Sequence, residues 1–91
     1  MLFMTTWSVR PGTYKEAVAQ FLKTGGVSPA GVKSVARYHS VDLQGGYHLL
    51  EADSAAALYE ASAEWSHLLD LRVVAVVGDD VAGATLAKIF G

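Results

Sequence analysis

The sequence contains no cysteine and has no surplus of basic residues. The missing cysteines exclude disulfide bonds, thiolate metal sites and cysteine nucleophiles, but they say little about the cellular compartment. The formal net charge is −2, whereas a protein that binds nucleic acid needs a basic surface. We therefore expect no nucleic-acid partner.

Long hydrophobic runs are also missing. No stretch approaches the roughly 20 apolar residues that a membrane-spanning helix requires. The N-terminal residues Met1 to Trp7 lack the basic region and the long apolar run of a signal peptide. We expect a cytoplasmic protein without a membrane partner.

The apolar content is high for so small a chain. The 91 residues predict one domain spanning residues 1–91, which would hide about 60–65% of the surface of the unfolded chain. Hydrophobic residues make up 52% of the sequence and charged residues only 18%. A small interior has no room for this excess, so we expect it to be buried between the subunits of a homodimer.

The first half of the chain predicts a strand followed by a helix. Leu2 to Val9 is rich in aromatic and β-branched residues and stops at a turn around Pro11. Thr13 and Glu16 have the spacing of a capping box. Apolar residues then recur with helical spacing at Tyr14, Val18, Phe21 and Leu22. Gly25-Gly26 predicts the end of this helix.

The second half predicts a hairpin, a helix, a strand and a final helical segment. The predicted elements are strands over 32–41 and 47–52, a helix from Ser54 to about Leu68 capped by Asp53, a strand over 71–77, and a last helix capped by Asp79 or Asp80. In the second helix, Trp65 falls on the buried stripe and His67 on the opposite side.

The resulting order β-α-β-β-α-β is the split βαβ, or ferredoxin-like, plan. It predicts an α+β fold with a four-stranded antiparallel sheet, two helices on one face and a short C-terminal helix. The first and last strands are apolar on both sides, so a second copy would cover the open face. Two sheets face to face would make a dimeric α+β barrel.

Several short motifs resemble a known family. They are Met1-Leu2-Phe3-Met4, Pro11-Gly12, Glu51-x-Asp53, Trp65-Ser66-x-Leu68, Asp70 and Val73-Val74-x-Val76-Val77. The sequence is similar in these motifs to a small bacterial domain of unknown function in the dimeric α+β barrel superfamily. The resemblance implies the barrel dimer and no established activity. That superfamily includes antibiotic-biosynthesis and haem-degrading monooxygenases, muconolactone isomerases and polyketide cyclases; Ala75 stands where we expect the family's last strand to carry proline.

The register of the hairpin decides which face His39 and His48 occupy. If Val41 faces Tyr47, Arg37 faces Glu51 and lies with His39, while His48 lies with Tyr38 on the other face. With a loop one residue shorter, His39 and His48 become direct neighbours. Two imidazoles do not complete a metal site, so we predict neither a metal nor a cofactor.

The candidate site combines two histidines with aromatic and charged residues of the strands. His48 or His39 would be the catalytic base or hydrogen-bond donor, and the predicted ligand-binding residues are Trp7, Arg37, Tyr38, Tyr47 and Glu51. In the structural alternative, Arg37 and Glu51 form a cross-strand ion pair, the tyrosines are half-buried, and Trp7 belongs to the dimer interface.

The functional hypothesis is a homodimeric barrel that binds a small apolar or aromatic metabolite in a sheet-lined cavity. The alternatives are a cofactor-independent enzyme of the monooxygenase, isomerase or cyclase kind, a haem-handling protein, and a purely structural dimer.

Overall fold

A computed structural model describes the whole chain, residues 1–91, as four strands and three helices. The elements are β1 (Leu2–Val9), α1 (Tyr14–Thr24), β2 (Val32–His39), β3 (Gly45–Ala52), α2 (Ala55–Ala63), β4 (Leu69–Val76) and α3 (Asp79–Phe90). Their order confirms the predicted ferredoxin-like plan with an added C-terminal helix. None of the three helices has the length and apolarity needed to cross a membrane.

The four strands form one antiparallel sheet in the order β2-β3-β1-β4. The central strand β1 pairs on both sides, with Thr5 opposite His48 on β3 and Val73 on β4. Successive side chains alternate between the two faces, and α1 and α2 cover the face that carries Thr5 and Trp7. The other face, the open face, is covered by no element of the same chain.

Two small buried clusters hold the helices to the sheet. Leu58 of α2 packs with Leu50 and Ala52 of β3. Ala17 of α1 packs with Leu68 and Leu69 at the start of β4. Only 8 of the 91 residues are buried, so the core of one chain is small, as its length requires.

The first helix begins and ends where the sequence predicts, but the capping box does not form. Thr13 occupies the N-cap position without a side-chain capping bond. Its hydroxyl instead lies 2.8 Å from the carbonyl oxygens of Arg10 and Leu68, because the backbone bond from Arg10 N–H to the Leu68 carbonyl brings the turn before β4 within reach. Gly25 ends the helix in the left-handed conformation, with φ 68°, as its glycine predicts.

The second helix is shorter than predicted and has a different cap. The Ser54 hydroxyl, not Asp53, accepts the N–H of Ala57 at 3.2 Å. The helix ends at Ala63, and the chain then turns, because the N–H groups of Leu68 and Leu69 both bond to the Trp65 carbonyl. This turn moves the start of β4 two residues earlier than predicted.

The predicted hairpin register is wrong. Tyr47 pairs with Tyr38, three positions before Val41, and Arg37 pairs with His48 rather than Glu51. The loop over residues 40–44 closes early because Ser40 bonds to both Asp42 and the carbonyl of Gly45.

A bulge between Ser34 and Ala36 shifts the pairing again toward the other end of the hairpin. The shift moves Glu51 opposite Lys33. Neither predicted register therefore occurs, and His39 and His48 are not direct partners.

The third helix projects from the end of β4 and buries none of its residues. Gly78 is its N-cap, whereas Asp79 and Asp80 lie in its first turn. Carboxylates at this position interact favourably with the helix dipole. Leu86, Ile89 and Phe90 fall on one side of this helix and are exposed. The molecule measures 51 × 29 × 17 Å along its principal axes.

Candidate functional site

A cavity of about 320 Å³ lies between α1, the end of α2 and the helix-covered face of the sheet. Its walls are mostly apolar, with aromatic side chains at Trp7 of β1, Phe21 of α1 and Trp65 in the turn after α2. The polar side chains that matter for chemistry are Arg37 and His39 of β2 and His48 of β3. The cavity is therefore the place where sequence-predicted residues meet.

The side chains of α1 explain why a cavity exists there. Of the residues on this helix, only Ala17 is buried. The bulkier Val18 and Phe21 also line the cavity, and they keep the helix backbone away from the strands. The helix therefore roofs the sheet without filling the space beneath it.

One wall of the cavity is a row of three rings. The His39 imidazole meets the indole of Trp7 edge-on, with ring centres 5.4 Å apart, and the ring of Phe21 at 5.2 Å. Gly46 lies opposite Trp7 on β3, and a side chain there would collide with the indole. The glycine thus lets Trp7 lie across the neighbouring strand.

Arg37 is held over the aromatic wall. Its guanidinium carbon lies 5.1 Å from the centre of the Phe21 ring, a cation–π distance. It donates to the carbonyl oxygens of Gly26 at 2.9 Å and Gly25 at 3.1 Å. These contacts fix the plane of the guanidinium at the loop that follows α1.

His48 is half-buried directly opposite Arg37. Its Nε2 lies 2.7 Å from the Ser34 hydroxyl. Burial, with smaller contributions from the charge of Arg37 and from His39, lowers the pKa of His48 to about 4. The imidazole is therefore neutral at pH 7 and can accept or donate a hydrogen bond.

The structure brings together four of the seven predicted site residues and separates the other three. Trp7, Arg37, His39 and His48 all line the cavity. Tyr38, Tyr47 and Glu51 alternate with cavity-facing neighbours and lie on the open face. The separation follows from the corrected register, since Arg37 and His48 now share a face.

Three residues of the site were not singled out from the sequence: Phe21 and Gly26 line the cavity, and Ser34 contacts His48 without lining it. Phe21 was assigned only to the buried stripe of α1, and Gly26 only to a helix end. Ser34 reaches His48 because of the bulge that follows it, and no sequence signal predicts that bulge. Nowhere do three or more His, Asp or Glu side chains gather as a group that could hold a metal ion.

The strand order and the helix-covered sheet define a ferredoxin-like α+β fold. Residues 1–90 match the model of a family described as Domain of unknown function (DUF3303), and the chain belongs to that family. The family resemblance noted in the sequence is thereby confirmed. No curated protein matches the chain.

The solved structures that are similar to this one include two from different bacteria. Rv0793 from Mycobacterium tuberculosis has a TM-score of 0.51 and 17% identity, over 85% of this chain and 95% of that chain. PA3566 from Pseudomonas aeruginosa has a TM-score of 0.49 and 17% identity, over 85% and 91%. At this identity the likeness to Rv0793 establishes a shared fold and nothing about activity.

Proposed function

We propose that this protein binds a small, largely apolar or aromatic metabolite in the cavity beneath α1. The observation that carries the proposal is the cavity itself, about 320 Å³ and walled by Trp7, Phe21 and Trp65. Ligand sites are typically concave, mostly apolar and supplied with a few placed polar groups, and their volumes begin near 300 Å³.

A packing defect is a poor explanation for this space. Protein interiors are close-packed, and an empty apolar volume forgoes dispersion contacts along all of its walls. The polar groups are also gathered rather than scattered, since Arg37 faces His48 across the strand pair and His39 is two residues away. A ligand would supply dispersion contacts to the apolar walls and hydrogen bonds to the polar side chains.

A neutral fluorescent probe, N-phenyl-1-naphthylamine, tests the proposal. We expect a saturable rise in its fluorescence with the natural protein, because the rings enter an apolar space. Ala61 lines the cavity at the end of α2, so Ala61→Leu should fill part of the space and weaken probe binding about tenfold or more.

The control variant changes a second apolar surface outside the cavity. Phe90 on α3 is 81% exposed, and Phe90→Ser should leave probe binding unchanged. A probe signal that survives Ala61→Leu but falls with Phe90→Ser would contradict a cavity site.

The same proposal includes a homodimer that forms through the open face. Val74 of β4, Tyr38 and Tyr47 are exposed apolar side chains on or beside that face, and Val74 pairs with Met4 of the central strand. Light scattering on a size-exclusion column should give the mass of a dimer. Val74→Asp should give a monomer, whereas a monomeric natural protein would exclude the dimer.

A second candidate function is a cofactor-independent enzyme that moves protons, of the isomerase, cyclase or monooxygenase kind. The observation that favours it is His48, a neutral imidazole inside the cavity with the Ser34 hydroxyl on Nε2. The low pKa leaves the base form fully available at pH 7 but reduces its basicity.

Deuterium exchange into the α-position of 2-tetralone, followed by NMR, tests this candidate. The protein should accelerate exchange, and His48→Gln should abolish the acceleration while leaving thermal unfolding near that of the natural protein. Acceleration that persists in His48→Gln would remove His48 from the mechanism.

A further inference from the structure

The cavity carries a positive charge that no acidic group of the protein balances. Arg37 uses two of the five guanidinium N–H donors for the carbonyl oxygens of Gly25 and Gly26. The only ion pair in the protein joins Arg10 and Asp70, outside the cavity lining. Three donors and the full charge of Arg37 therefore remain for a ligand.

The groups beside Arg37 add hydrogen-bond donors and no negative charge. His48 lies directly opposite it, and His39 follows two residues later on the same strand. His39 makes no hydrogen bond through its side chain, and the only bond of His48 is to Ser34. Both imidazoles can therefore offer an N–H to a ligand.

The other elements around the cavity contribute one carboxylate. β1 and β4 line it with uncharged residues, and α1 contributes Tyr14 as its only titratable group. Glu64, just after α2, is exposed, and its backbone carbonyl accepts the side chain of Gln20 on α1. It makes no ion pair with Arg37.

The loop after α1 holds the guanidinium in one orientation. Gly26 has a positive φ of 64°, and a side chain there would collide with the guanidinium of Arg37. With the Phe21 ring on one side and two carbonyls at the edge, the remaining N–H donors keep a fixed plane. Such a preset fork suits a planar anion such as a carboxylate.

Desolvation makes the charge of the ligand matter. An aromatic ligand that fills the cavity removes water from Arg37, which is costly unless the ligand returns a countercharge. A neutral aromatic compound returns none, whereas a carboxylate or phenolate returns a full charge and accepts the free donors.

Resting on the proposed function, we infer that the ligand is an aromatic anion whose carboxylate or phenolate oxygen lies between Arg37, His39 and His48. Its rings fill the apolar part of the cavity against Trp7 and Phe21. The anion anchors the ligand, and the apolar walls select its shape.

The test compares 2-naphthoate with 2-naphthamide as displacers of bound N-phenyl-1-naphthylamine at pH 7. The two compounds share their rings and size and differ in charge. We expect 2-naphthoate to bind about tenfold or more tightly than the amide, with an advantage that shrinks as salt is raised. Arg37→Gln should remove the advantage, and Arg37→Lys should retain part of it.

Lys23→Gln is the matched control, because it removes an exposed cation in the last turn of α1 that does not line the cavity. It should leave the preference intact. Equal displacement by the two compounds, displacement by neither, or a preference that survives Arg37→Gln in a folded variant would overturn the inference alone. A protein that fails to bind the neutral probe would overturn the proposed function and this inference with it.

Discussion

The helices α1 and α2 cover the same face of the same sheet, yet α2 packs a leucine into the strands and α1 roofs the cavity that holds the candidate site. On α2, Leu58 is only 8% exposed and packs against Leu50 and Ala52. On α1, the cavity-lining Val18 is 38% exposed, and the space beneath it stays open.

Side-chain size explains the difference. The face of α2 toward the strands is rich in alanine, and at Ala57 it comes so near the loop before β2 that a side chain on Gly31 would lie 3.2 Å from its Cβ. Bulky residues on α1 hold that helix away. We infer that substitutions of side chains beneath α2 affect stability more than substitutions on the cavity-facing side of α1, and that the α1 side has room for a ligand.

The largest predicted effect is a loss of stability on the α2 side. Leu58→Ala removes a buried side chain and should lower the free energy of unfolding by about 2–4 kcal/mol. Val18→Ala, at a cavity-lining position of α1, should cost less than about 1 kcal/mol. Urea denaturation of the two variants measures both, and equal losses would refute the division between the helices.

Larger side chains should also distinguish the two sides, because the close-packed region beneath α2 has no room for them and the cavity does. Ala52 is buried beneath α2, so Ala52→Leu should overpack the core and cost about 1–3 kcal/mol. Ala61→Leu points into the cavity and should be neutral or slightly stabilising while it weakens probe binding. Thermal unfolding compares them, and strong destabilisation by Ala61→Leu would mean that the cavity is not open space in solution.

The order of elements was predictable because it rests on local patterns. The strand over Leu2 to Val9, the apolar stripe of α1 and the glycine at its end are each encoded within about ten residues. The predictions that failed concern caps, strand ends and strand pairing, which depend on contacts between distant segments. Thr13, for example, bonds to the carbonyl of Leu68, 55 residues away, instead of capping its own helix.

The site was predictable in its residue types and not in its geometry. A register change of one residue exchanges the two faces of a strand, and the Ser40–Asp42 turn together with the bulge after Ser34 sets that register. His48 thereby joins Arg37, while Glu51 leaves it. The depth of the cavity depends on how far α1 stands from the sheet, which is a property of packing rather than of any one segment.

His48 gives the α1 side of the domain a dependence on pH. Its pKa is lowered to about 4 in the folded protein from an ordinary value of 6.5. Between these values the unfolded chain binds more protons, so its contribution to stability is complete above pH 6.5 and is lost as the pH falls toward 4. The loss should be on the order of 1 kcal/mol, because solvent screens a half-buried group.

Urea denaturation at pH 7.0 and pH 4.5 measures this loss. The natural protein should lose more stability between the two pH values than His48→Gln does, since glutamine has no imidazole that takes up a proton on unfolding. His67→Gln changes an exposed histidine in the turn after α2 and should behave like the natural protein. The same pH response in all three proteins would show that His48 is not desolvated.

The smallest predicted effect concerns Leu43, at the tip of the hairpin on the cavity side. It is the only non-glycine residue with a positive φ, at 67°, a conformation that costs leucine energy and that asparagine tolerates better. Its side chain is 65% exposed but lines the cavity, so it is placed to touch a bound ligand. Leu43→Asn should raise the free energy of unfolding by a few tenths of a kcal/mol and weaken probe binding.

Leu43→Val is the contrasting variant, because a β-branched residue fits a positive φ worst and should cost on the order of 1 kcal/mol. Urea denaturation with parallel probe titrations distinguishes strain from contact. If Leu43→Asn leaves probe binding unchanged, Leu43 does not contact the bound probe. The binding side of the domain then does not include the hairpin tip.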